Sequence, residues 1–120
     1  MPSFNDALKS VAAKVPEIEV VMIMGTDGIP IDKLVVRPDP NLDAVAAEYT
    51  TLLRASATTA SDTGLGDLRE LSVVTEKMTA VIVAITKEYF LFASLAPGAL
   101  MGRARFALRL ATLALEKEFE

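Results

Sequence analysis

The residues that could do chemistry are a run of carboxylates, a few serines and a glycine pair. Asp27, Asp32, Asp39 and Asp43 lie near one another and could gather a divalent cation. A calcium loop, however, needs oxygen ligands at alternating positions around a sharp glycine turn, and these four do not alternate. They sit beside turn residues, where an Asp side chain accepts backbone N–H groups, and that role is expected for them. Ser56, Ser61, Ser72 and Ser94 would need an adjacent base to act as nucleophiles, yet the chain has no His and no Cys. Gly64-Leu65-Gly66 follows a helical pattern, whereas a phosphate-cradling loop follows a strand and opens a helix, so it reads as a helix stop. No catalytic residue, metal site or cofactor is expected, and the chain reads as a non-enzyme.

Composition narrows the partners. The net charge is −4, and no basic run exists that could neutralise a line of phosphates, which argues against nucleic acid and against an anionic membrane surface. The apolar runs Met78 to Ile85 and Tyr89 to Pro97 are too short to span a bilayer as helices, so no membrane insertion is expected. Met1 to Asp6 lacks the basic segment and apolar run of a signal peptide, and a cytoplasmic protein is expected. At 52% hydrophobic residues and a mean hydropathy of +0.39, the surface of so small a domain is expected to carry an apolar area that is covered in use. Oligomerisation is the simplest cover.

The elements follow from periodicity. Ser3 and Asp6 resemble a capping box, and Phe4, Leu8, Val11 and Val15 recur at helical spacing until Pro16. Ile18 to Met24, the turn Gly25-Thr26-Asp27-Gly28, and Ile29 to Val36 read as a hairpin, with Pro30 marking an edge strand. Asp67 to Glu76, Met78 to Ile85 and Tyr89 to Leu95 read as three antiparallel strands, the middle one apolar enough to be covered on both faces. A last helix runs from Pro97-Gly98 to Phe119, with Arg105, Arg109, Thr112 and Glu116 on a solvated side. Residues 1–120 thus form a single α+β domain in the order α-β-β-α-β-β-β-α, with a five-stranded antiparallel sheet between helices.

The stretch from Asn41 to Gly66 organises the chain. Asp39-Pro40-Asn41 supplies a helix start, and Leu42, Val45, Tyr49, Leu52, Leu53, Ser56 and Ala60 form an inward stripe. The other face holds Asp43, Ala47, Thr50, Thr51, Arg54, Thr58, Ser61 and Asp62, dominated by small residues rather than charge. Such a face suits either a solvated Ala-rich helix or close approach by a second backbone.

The run Val20 to Ile31 with Asp27-Gly28 at the hairpin tip, the Ala-rich helix from Leu42, and the strand Leu91-Phe92-Ala93-Ser94-Leu95 before an amphipathic helix resemble the roadblock/dynein light-chain family, in its single-domain prokaryotic, MglB-like branch. The resemblance implies a roadblock-like homodimer whose sheets join into one continuous sheet. It implies a dimer interface at Leu71, Val73 and Thr75 and, on the central helix, at Ala55 and Thr59. It further implies a partner platform of Asp43, Ala47, Thr51, Arg54, Thr58 and Asp62 on the paired central helices, binding a small Ras-like GTPase, with possible GTPase-activating action. Arg54 is expected to make structural or rim contacts rather than act on phosphate. The alternatives are a scaffold light chain of a larger assembly without effect on hydrolysis and a small-molecule sensor.

Overall fold

The computed structural model describes residues 4–119. The elements are α1 (Phe4–Lys14), β1 (Ile18–Gly25), β2 (Pro30–Val35), α2 (Leu42–Asp62), β3 (Glu70–Val74), β4 (Thr79–Ala84), β5 (Tyr89–Leu95) and α3 (Met101–Glu116), followed by a 3-10 turn at Lys117–Phe119. This is the order and number expected. Ser3 of the anticipated capping box lies outside the described residues.

The five strands form one antiparallel sheet in the order β2-β1-β5-β4-β3. The side chains of the three inner strands alternate between two cores, because successive residues of a strand point to opposite faces. Val21, Ile23, Val81, Val83, Leu91, Ala93 and Leu95 pack under α1 and α3. Val20, Met22, Met24, Ala80, Ile82, Phe90 and Phe92 pack under α2. The geometric centre is β5, paired on both sides, and not β4, whose apolar run is just as continuous in sequence. Coverage on both faces, not position in the sheet, sets the length of such a run.

Pro30 opens edge strand β2, as its missing N–H requires. The register slips there: Ile23 faces Asp32 while Met24 faces Pro30, so Ile31 is the extra residue of a bulge. The hairpin tip is closed by Gly25 and Gly28 N–H bonds and by Asp27, whose Oδ1 accepts the Ile29 N–H at 3.0 Å. Gly28 has φ +89°, where a side chain would be strained.

Several boundaries shift from the sequence reading: β2 and β4 each lose a residue at both ends, and α3 gives way to the 3-10 turn after Glu116. β3 is shorter than Asp67 to Glu76, and α3 starts at Met101, after Gly98 at φ +83° turns the chain. At the far end, Phe119 stacks between Phe4 and Tyr89, with centroid separations of 5.2 and 4.1 Å, tying the last turn to α1 and the sheet.

Leu91 is fully buried on the central strand. Leu91→Ala is expected to lower unfolding free energy by about 3 kcal/mol in a denaturant titration, the usual cost of a core cavity.

Candidate functional site

The site is built on α2 and the edge strand beside it. Asn41 makes no side-chain cap to α2; instead Asp39 Oδ1 accepts the Asn41 N–H at 2.9 Å. The C-terminus closes as a Schellman motif, with Leu65 N–H donating to Ala60 C=O and Gly64 N–H to Ser61 C=O, and with Gly64 at φ +74°. The glycine pair is therefore the helix stop expected.

Leu42, Ala46, Thr50 and Leu53 are the buried residues of α2. Thr50, expected on the outer face, points inward, and its hydroxyl donates to Ala46 C=O at 2.8 Å, which satisfies it without water. Leu52, expected inward, is 41% exposed. The inward stripe is thus rotated towards Thr50 relative to the sequence reading, and Leu52 becomes a large apolar residue on a flank.

The two flanks of α2 differ. On one, Lys33 Nζ of β2 bonds Asp43 at 3.2 Å, and Arg54 Nη1 donates to Thr26 C=O of the β1–β2 turn at 2.6 Å. Val45, Leu52 and Thr59 recur every seven residues on the opposite flank, which therefore faces β3. Of the platform residues, Asp43, Ala47, Thr51, Arg54, Thr58 and Asp62 are all exposed, spread between the outer surface and the β2 flank. Asp43 and Arg54 are already engaged within the chain. Ala55 and Thr59 are exposed on the β3 side, and Thr59 donates its hydroxyl to Ala55 C=O.

β3 is an edge strand whose outer side has no neighbour among the described residues. Leu71 and Val73 face the α2 layer and are only half-covered. Thr75 lies one residue past the strand and closes the β3–β4 turn, exchanging hydrogen bonds with Met78. Glu70, on the other face of β3, receives Arg105 at 2.7 Å and Arg109 at 3.3 Å, which fastens the edge to α3. Part of the supposedly solvated side of α3 is thus bridged, and Thr112 is buried.

The carboxylates that could have held a cation are placed as turn and pairing groups. Asp27 and Asp39 accept backbone N–H groups, Asp32 accepts that of Lys33, and Asp43 pairs with Lys33. Ser94 is sealed in the sheet, and its hydroxyl has no partner among the described residues. A cavity of about 410 Å³ opens at the sheet end beneath α2, with Leu53, Ile85 and Phe90 among its walls and Arg69 and Lys87 beside them.

A sequence profile of the Roadblock/LC7 domain matches residues 5–96. The chain belongs to the Roadblock/LC7 family. No curated protein sequence matches significantly. Among solved structures, Myxococcus xanthus MglB superposes with a TM-score of 0.86 at 15% identity, covering 97% of this chain and 94% of that one. A Roadblock/LC7 domain from Streptomyces avermitilis gives 0.83 at 15%, covering 94% of both chains. Myxococcus xanthus MglC gives 0.71 at 29%, covering 96% and 98%. This roadblock domain therefore has the architecture of the MglB structures.

Sequence reasoning missed two features of this roadblock surface. Leu52 was hidden by a helical phase error of a fraction of a turn. Phe106, Leu110 and Leu113, exposed on α3, recur at spacings of four and three, a signal masked in the sequence by the cations interleaved with them.

Arg54→Ala is expected to speed amide exchange at Gly28 and Ile29, because the helix no longer holds the turn. Global stability should fall by only about 1 kcal/mol, the net worth of one such bond. Unchanged exchange would remove Arg54 as the anchor of the hairpin tip.

Proposed function

We propose that this roadblock domain is a homodimeric regulator or adaptor of a small Ras-like GTPase, without catalytic groups of its own. The observation that carries the reading is the unfinished side of the molecule: an unpaired β3 edge with Leu71 and Val73 half-covered, continuous with the flank of α2 that exposes Leu52. A second copy pairing at β3 closes that edge and covers these side chains at once, which removes an aggregation-prone feature. The two-fold relating two antiparallel edges stands perpendicular to the sheet, so both central helices come to lie on one face.

That paired face supports the partner reading. Ala47, Thr51 and Thr58 are small and exposed, so another protein's backbone can approach closely. Arg54 is engaged by the Thr26 C=O of its own chain, which favours an adaptor that positions a GTPase's own residues over one that donates an arginine.

Two measurements test the reading. Val73→Lys places a charge at the seam and is expected to convert the dimer to monomer in sedimentation equilibrium, while the wild type stays dimeric. Ala47→Glu is expected to leave the dimer intact and to abolish recovery of a small GTPase from native lysate on immobilised protein loaded with a non-hydrolysable GTP analogue. Recovery that ignores the nucleotide would leave a scaffold light chain, and a monomeric wild type would end the dimer reading.

A further inference from the structure

The charge of this domain is segregated by layer. The helices α1 and α3 with the final turn hold six cations and three anions; with Glu70, which clasps Arg105 and Arg109 from the same face of the sheet, the layer is net +2, whereas the rest of the sequence holds six cations and twelve anions, a net −6. The whole-chain value of −4 conceals this. The same layer carries the exposed apolar ridge of α3: Phe106 is 61% and Leu113 62% exposed, with Leu110 beside them. At about 100° per residue, Phe106 and Leu113 lie opposite the buried Ala104, Leu108, Ala111 and Leu115, so they point straight away from the sheet. Arg103, Arg109 and Lys117 frame the ridge at both ends and along one side.

We infer that the α1/α3 layer is a docking face for an anionic lipid surface, with α3 lying in the plane of the headgroups. Phe and Leu side chains that enter the interface between headgroup and acyl chain, flanked by cations whose long stems reach back to phosphate, are the chemistry of interfacial helices. The face is a ridge: the cavity beneath α2 at the sheet end reaches α3 only at Glu116, and a second lies beside Pro38 and Pro40. A second copy laid antiparallel on α3 would bring Arg103 close to Lys117 and Arg109 close to its own twin, which disfavours self-pairing. The acidic α2 side then faces away from the lipid, and electrostatics orient the molecule. If the β3-paired dimer forms, both ridges share one side and act together; this doubling rests on that reading, but the ridge itself does not.

The test is co-sedimentation of the full chain with phosphatidylcholine vesicles and with vesicles of phosphatidylcholine and phosphatidylglycerol, at low and at raised salt. Binding is expected to the anionic vesicles only and to weaken with salt. Phe106→Glu combined with Leu113→Glu is expected to weaken it by about tenfold or more, given the loss of apolar insertion and the added negative charge. Both side chains are exposed, and a thermal melt by circular dichroism checks that the variant folds; Arg103→Ser, which leaves the ridge apolar, is expected to lower binding in the same direction. No binding to anionic vesicles, equal binding to neutral ones, or a double variant that binds like the wild type would overturn the inference. A fall in particle mass of the double variant in sedimentation velocity without vesicles would overturn it too, by assigning the ridge to a second copy.

Discussion

The structure depends on β5 being enclosed in every direction. Its backbone pairs with β1 and β4, Phe90 and Phe92 fill the core under α2, and Leu91, Ala93 and Leu95 fill the core under α1 and α3. A strand so enclosed tolerates no polar side chain without strain on its hydrogen bonding, and Ser94, small and sealed, is the one departure. Everything that can vary is displaced to the two edges and to the outer faces of the helices.

Those margins are treated unequally. The β2 edge is blunted by Pro30 and a bulge, and the Lys33–Asp43 and Arg54–Thr26 contacts hold α2 to that side. The β3 edge has no such device; Glu70, clasped by two arginines, steadies it without covering it. One edge is finished and the other left open. The outward faces divide likewise: small side chains over α2, bulky apolar and basic ones over α3.

Much of this was legible in the sequence, for physical reasons that can be named. Strand and helix types followed from continuous apolar runs and helical spacing, and the glycine stop and the Asp27-Gly28 tip were read correctly because few residues accept positive φ. The phase of α2 was misread because Ala and Thr carry almost no hydropathy contrast: Thr50 is buried through a backbone hydrogen bond that no periodicity reveals. The engagement of Arg54 with Thr26 and of Glu70 with Arg105 and Arg109 joins residues far apart in sequence, which a single chain without a fold cannot pair. The layered charge was equally hidden, since net charge averages over faces that only the topology separates.

The strand order also has a consequence in time. β1 pairs locally with β2, but its other edge waits for β5, which is joined to it only after α2, β3 and β4. The sheet thus joins two locally connected pieces, a hairpin and a three-stranded meander, through the β1–β5 pairing, a long-range contact of the kind that slows folding. During synthesis β1 emerges before β5 and carries one edge unpaired until Tyr89 to Leu95 arrives, an interval in which an exposed apolar strand invites misassembly.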